Sequence, residues 1–211
     1  ELFLDIDKNT VDMVDNYDGE MKEPRLLPVT FPTILTNPQN GTAVGMGTGI
    51  ASFNLNEVVD YTIAYIKNPN SNVADYIKAP DFPTGGNIIY DKSILDNIFN
   101  NGSGSIQIRA KYQIDDDVIT FTEIPYSTTY EAIVDKIVEL VKDNKIKDIV
   151  DMHDKMGING QGIEITVKKN VDKRLLIEKL FKMTPLQSSY GCNFNLIVNG
   201  RPQQLGVKQI I

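Results

Sequence analysis

Residue types that do covalent or metal chemistry are sparse in this chain, and their spacing does not assemble them. The single histidine, His153, lies in a polar stretch with Asp151 and Asp154, without the second histidine or the cysteines that a zinc site needs. It reads as a surface residue. Asp115, Asp116 and Asp117 could suggest a cation site, but three adjacent side chains on a tight turn point in different directions, so they read as a solvated hairpin turn. Ser188 and Ser189 have no histidine nearby in sequence and no nucleophile elbow around them. Cys192 is the only cysteine. It cannot form an internal disulfide, which fits a reducing compartment, and it reads as a small buried apolar residue. No self-sufficient active site can be read here.

The stretch from Phe31 to Asn54 is more informative. It contains Gly41, Gly45, Gly47 and Gly49, yet it stays apolar through Ala43, Val44 and Met46. Solvated linkers are normally polar. An apolar, glycine-rich run predicts a structured, buried loop whose backbone lies close against other backbone or a ligand, where a Cβ would not fit. The spacing matches neither a Walker phosphate loop, since no Gly-Lys-Ser/Thr follows, nor a dinucleotide fingerprint, since no strand leads into Gly-x-Gly-x-x-Gly.

Composition bounds the rest. The 211 residues are 41% hydrophobic and 23% charged, ordinary for a globular chain with one or two cores. No run approaches the roughly eighteen apolar residues of a membrane span. The start at Glu1 rather than Met suggests a piece of a longer chain. A formal charge of −7 argues against an autonomous duplex-DNA binder, which usually carries a basic patch. Either such binding is weak, or the basic residues gather on one face. The visible basic clusters, Lys145 with Lys147, Lys168 with Lys169 and Lys173 with Arg174, are short and suit solvated helix ends and turns.

Periodicity supplies the elements that must position any site. Asn54 with Glu57 predicts a capped helix bearing a stripe of Leu55, Val58, Val59, Thr62, Ile63 and Ile66, ended at Asn68-Pro69. Pro80, Pro83, Gly85 and Gly86 mark a boundary. A short helix is predicted over 92–99, then strands over 105–113 and 118–124. Thr128 with Glu131 predicts the cap of a helix with Ile133, Val134, Ile137, Val138, Leu140 and Val141 on one face. A strand over 162–168 and a helix over 172–183 follow, the helix turning Leu175, Leu176, Leu180 and Phe181 inward. Asn199-Gly200 predicts a closing hairpin. Strand–strand–helix–strand–helix defines an α+β fold with a two-layer α/β sandwich.

Seven blocks in order carry a resemblance over nearly the whole chain. They are TVDMVDNYDG (Thr10 to Gly19), LPVTFPTILTN (Leu27 to Asn37), GTAVGMGTGI (Gly41 to Ile50), FNLNEV (Phe53 to Val58), APDFPTGG (Ala79 to Gly86), EIPY (Glu123 to Tyr126) and KMTPLQSSYGCNFN (Lys182 to Asn195). Together they resemble the breakage-reunion, A-type subunit of bacterial type IIA DNA topoisomerases, the one found in DNA gyrase and in topoisomerase IV. The resemblance implies an ATP-dependent enzyme that cleaves, passes and religates double-stranded DNA in the cytoplasm. Its nucleophile is a tyrosine preceded by an arginine; residues 1–9 contain neither, so the tyrosine is expected upstream of Thr10. No cofactor is expected within this stretch, because magnesium and ATP belong to the B-type partner subunit. Self-association belongs to the full-length subunit.

What remains matches the tower domain, whose implied task is to support and bend the gate segment of DNA. On that resemblance, residues 1–88 form the proximal tower region with its connection to the winged helix. Residues 89–190 form the sandwich, and 191–211 form a hairpin returning toward the coiled coil. The loop of the glycine-rich run would face the minor groove, with Asn37, Gln39, Asn40, Gly41 and Thr42 as its DNA-binding residues. The family usually places an isoleucine wedge where this chain has Thr42, and two prolines where it has Ala51 and Ser52. A threonine hydroxyl resists entry into a base stack, so the departure favours a weaker bend or a polar contact. A second class stays open: a stand-alone α+β interaction module with no DNA role, in keeping with the acidic charge.

Overall fold

The chain changes hydrophobic core twice, at Ala110 and at Leu186. A computed structural model describes residues 4–157 and 160–211; Glu1, read above as a cut end, lies outside them. One core gathers side chains from Leu35 to Ile108 together with Tyr190, Cys192, Phe194 and Val207. The other runs from Ala110 to Leu186. The two crossings are themselves paired, because the Ala110 N–H donates to the Leu186 carbonyl at 2.7 Å.

After a short hairpin of β1 (Met13–Asp15) and β2 (Lys22–Pro24) come β3 (Gln39–Ala43), β4 (Met46–Ile50), α1 (Leu55–Lys67), β5 (Asn87–Ile89), α2 (Lys92–Asn101) and β6 (Ser103–Arg109). The second core is built from β7 (Lys111–Asp115), β8 (Val118–Glu123), α3 (Tyr130–Lys142), β9 (Ile149–Gly157), β10 (Gly160–Val167) and α4 (Lys173–Met183). The chain returns through β11 (Gln187–Asn193), β12 (Asn195–Val198), β13 (Arg201–Gln204) and α5 (Val207–Ile210). A five-stranded sheet has the order β3-β4-β11-β6-β5, and a four-stranded antiparallel sheet the order β7-β8-β10-β9. The fold is α+β. In the second core, Ile119, Phe121, Ile163 and Ile165 pack against Ile133, Ile137 and Leu140 of α3 and Leu176, Ile177 and Leu180 of α4. That is the two-layer sandwich that the alternation of strand and helix patterns predicts.

The single strand over 105–113 is in fact two. β6 pairs with β11 as far as Arg109↔Gln187, whereas β7 pairs with β8, Tyr112 opposite Phe121. One strand cannot serve two sheets, and the ladder breaks at the small, buried Ala110. α1 starts as predicted, with the Asn54 side chain accepting from the Asn56 N–H. Glu57 does not complete a capping box, because its carboxylate accepts from the Lys78 N–H at 3.0 Å. The inward face of α1 also differs from the predicted stripe. Val58 and Tyr61 are buried, while Leu55, Ile63 and Ile66 are exposed. The Tyr61 ring lies 6.2 Å from that of Tyr65 and 5.9 Å from that of Tyr76, and burying an aromatic ring outweighs burying a branched aliphatic side chain.

Smaller shifts follow the same logic. The cap of α3 is Thr129, one residue late, its hydroxyl accepting from the Ala132 N–H. α4 starts one residue later than predicted, with Asp172 as its cap, and Leu175 is exposed while Ile177 takes its place inside. Asp116, at a φ of 44°, turns the β7–β8 hairpin as expected of the acidic triplet. β9 and β11 escape the sequence pattern, because β9 mixes apolar residues with Asp151, His153, Asp154 and Lys155 and polar residues dominate β11. Gly102, at a φ of 67°, ends α2 where Asn101-Gly102 predicts a stop, and a Cβ there would lie 2.0 Å from the Leu205 carbonyl oxygen.

A carboxylate ties the two cores together. Glu123, at the end of β8, accepts from the Gly86 N–H at 2.8 Å and pairs with Lys111 Nζ at 2.9 Å. The Gly86 hydrogen bond, and then the Lys111 ammonium, hold its carboxyl below the ordinary glutamate value. A depressed folded-state value means that the clasp contributes fully above the ordinary value of 4.5 and is lost as pH falls through the lowered one. Glu123→Gln is therefore expected to lower urea-unfolding stability at pH 7, with the gap to wild type closing in acid. A gap that persists unchanged below the lowered value contradicts the clasp.

Candidate nucleic-acid interface

The glycine-rich run forms a β-hairpin rather than a buried loop. β3 and β4 pair from Gln39↔Ile50 to Ala43↔Met46, around a Val44-Gly45 turn in which Gly45 takes a φ of 81°. Only the base is buried, at Ile50 and Ala51; Val44 is fully exposed and Met46 is 44% exposed. A two-residue turn cannot reach back into the core, so the apolar residues of the tip point outward. The expectation of close backbone contact does hold at one place. A Cβ on Gly49 would lie 2.7 Å from the Gly191 carbonyl oxygen, and Gly49 opposes Asn193 in the only register pair that joins β4 to β11.

Of the residues singled out from the sequence, Gln39, Asn40, Gly41 and Thr42 lie along one edge strand, and Asn37 lies just before it. Asn37 is exposed, and the Gln39 amide donates to its carbonyl at 3.4 Å. Gly41 and Thr42 are exposed on β3, Thr42 opposite Gly47. Asn40 has a structural partner: its Oδ1 accepts from the Tyr190 hydroxyl at 3.0 Å. Burial pushes the Tyr190 phenol up to about 12, with nearby Cys192 and Tyr126 adding to the shift and the Asn40 bond opposing it. Ala51 and Ser52 are buried, and the Ser52 hydroxyl donates to the Asp81 carbonyl, a bond that a proline could not make.

A second hairpin, not connected with the first by any local sequence signal, packs beside it. β12 and β13 pair from Asn195↔Gln204 to Val198↔Arg201. Asn199 and Gly200, at φ of 51° and 75°, make the predicted turn. Polar side chains staple the two hairpins. Asn193 and Asn195 Nδ2 both donate to the Gly47 carbonyl, at 2.9 and 2.7 Å, while the Thr48 hydroxyl reaches the Asn195 carbonyl at 2.9 Å. Between them runs a groove of about 240 Å³, lined by Thr42, Met46, Leu196, Ile197 and Pro202 among others.

The charge pattern separates this face from the rest of the chain. From Leu26 to Asn56 no residue is charged, and after Glu178 no residue is acidic. Both hairpins are therefore free of carboxylates in a chain of net charge −7. By contrast, β1–β2 and its turn carry Asp15, Asp18, Glu20 and Glu23. The remaining reactive types are accounted for elsewhere. His153 pairs with Asp151 at 2.9 Å on the surface, and burial pushes the Cys192 thiol up to about 12, which leaves it un-ionised. Among the described residues no group of three His, Cys, Asp or Glu is placed to hold a metal ion, and no helix is long and apolar enough to cross a membrane.

Comparison with known proteins places the chain. The family of the DNA gyrase/topoisomerase IV A subunit matches residues 1–211. The DNA gyrase A subunit of Ureaplasma parvum serovar 3 is 45% identical over all of the chain, which covers 26% of that protein. Its counterparts in Mycoplasma pneumoniae and Staphylococcus epidermidis are 43% and 39% identical over all of the chain, which covers 26% and 24% of them. The chain belongs to this family of DNA gyrase and topoisomerase IV A-type subunits. It spans about a quarter of the length of these curated relatives.

The staple makes a testable demand. Asn195→Ala removes one of the two amide donors to the Gly47 carbonyl while Asn193 keeps the other, which costs about 0.5–1.5 kcal/mol. Hydrogen exchange in both hairpins is expected to quicken together. Faster exchange in β12–β13 alone would show that the two move independently.

Proposed function

We propose that the chain is the tower part of an A-type subunit of a type IIA topoisomerase, and that its β3–β4 hairpin supports and bends the gate segment of double-stranded DNA. The observation that carries this reading is the charge-free, outward-pointing hairpin tip within a chain of this family. Phosphates approach it without meeting a carboxylate, and minor-groove proteins pair amide side chains with small apolar groups in this way. Asn37 and Gln39 offer amides to sugar and phosphate oxygens, Gly41 lets the backbone come close, and Asn40 acts mainly by fixing the strand through Tyr190. Thr42 presents a methyl and a hydroxyl, so it makes a polar or shallow contact rather than a deep wedge.

In this reading the whole enzyme cleaves, passes and religates DNA at the expense of ATP in the cytoplasm, and these 211 residues alone are inactive. The nucleophilic tyrosine lies upstream, on the winged helix. Magnesium and ATP are held by the B-type subunit, and the full-length A-type subunit self-associates. The chain up to Arg109 is the proximal tower, the sandwich subdomain runs from Ala110 to Leu186, inside the 89–190 expected from the resemblance, and 191–211 are the return toward the coiled coil. The family match along every residue supports this over a stand-alone interaction module.

Duplex binding by the 211-residue chain across a salt series, with Thr42→Ile in parallel, tests the proposal. Affinity is expected to fall as salt rises, and the isoleucine variant to bind several-fold tighter at every salt concentration. Equal binding by both proteins, or no binding at low salt, would overturn a DNA-facing tip.

A further inference from the structure

The β12–β13 hairpin shares with β3–β4 the lack of acidic residues and an exposed apolar side chain, and adds a cation that β3–β4 lacks. Arg201 is exposed beside the Asn199-Gly200 turn, opposite Val198, and makes no ion pair among the described residues. No acidic residue follows Glu178, so nothing on its own element competes for its guanidinium. Lys208, the other cation of the returning segment, lies over the Tyr65 ring at 5.7 Å and is already engaged. On the opposite face of the ribbon, Ile197 is 78% exposed, and its cross-strand neighbour is Pro202. An unpaired arginine on one face of the ribbon and an exposed isoleucine on the other, with Asn199 and Gln203 also exposed, let a ribbon lying in the minor groove use both faces with the side-chain types that minor-groove binders use.

The second hairpin is also held in register with the first. The bonds from Asn193 and Asn195 to Gly47, and from Thr48 back to Asn195, set the floor of a shared groove that runs from Met46 to Ile197. A duplex lying on one hairpin therefore meets the other without rearrangement.

Resting on the reading of β3–β4 as DNA-facing, we propose that β12–β13 is a second DNA-contacting ribbon, in which Arg201 binds a backbone phosphate at the minor-groove edge and Ile197 makes apolar contact with the groove wall. The occupant is duplex DNA rather than a protein, because an acid-free face with an unpaired arginine complements a polyanion. Apolar exposure alone would not decide between them.

The test uses the full-length protein together with its B-type partner, with duplex affinity measured from about 50 to 200 mM salt. Arg201→Ala is expected to weaken binding and to lower the slope of log affinity against log salt by about 0.9, the share of one phosphate. The gap to wild type therefore narrows about three- to fourfold across that range. Lys168→Ala, on an exposed lysine after β10, is expected to leave the slope unchanged, and melting temperatures confirm that each variant is folded. Val44→Asp separates the two claims. If Val44→Asp weakens binding and Arg201→Ala does not, the second ribbon is overturned and the first hairpin stands. If neither variant changes affinity, both readings fail. A loss with Arg201→Ala at unaltered salt slope also overturns the phosphate contact.

Discussion

The closeness of β4 to β11 at Gly49 governs everything on the interface side of this molecule. A single register pair attaches the β3–β4 ladder to the five-stranded sheet, and a Cβ at that pair would meet the Gly191 carbonyl oxygen at 2.7 Å. Beyond it the strands diverge, and side chains take over from backbone. Asn193, Asn195 and Thr48 span the opening, each bond worth about 1 kcal/mol net. The hairpin is thus anchored by backbone at its base and by amides midway along its length. Because those bonds hold it, its apolar tip is not needed for packing and can face outward.

Charge placement follows the same division. The carboxylates that make the chain acidic lie before Leu26 or between Glu57 and Glu178. The strands and turns of the two hairpins have none. A net charge of −7 describes the whole chain, whereas a polyanion responds to the local potential within about a Debye length, roughly 10 Å. Weak intrinsic affinity and a well-defined contact face are therefore compatible. A scaffold that bends DNA held by other domains has no need of strong binding of its own.

Much of the fold could be read from the sequence, wherever the signal is local. Asn54 caps its helix as its position implies, Gly102 stops α2, and Asn199-Gly200 turns a hairpin, because each acts on its own backbone. The inward face of α1 could not be read. That helix has two apolar stripes, and Tyr61 wins only because Tyr65 and Tyr76 are there to receive it. β11 carries no clear strand pattern because Gln187, two serines, Gly191 and Asn193 surround its two buried residues, Tyr190 and Cys192. Thr48 and Asn195 lie 147 residues apart in sequence, so nothing local announces the staple or the groove that it creates.

The central claim is that the acid-free pair of hairpins is the surface that meets DNA. Hydrogen exchange of the full-length protein, with and without a bound duplex, tests it most directly. The account predicts slowed exchange in residues 39–50 and 195–204 together, with β1–β2 and the exposed face of α3 unchanged. Protection centred on α3 or on β1–β2, with both hairpins exchanging at their free rates, would contradict it.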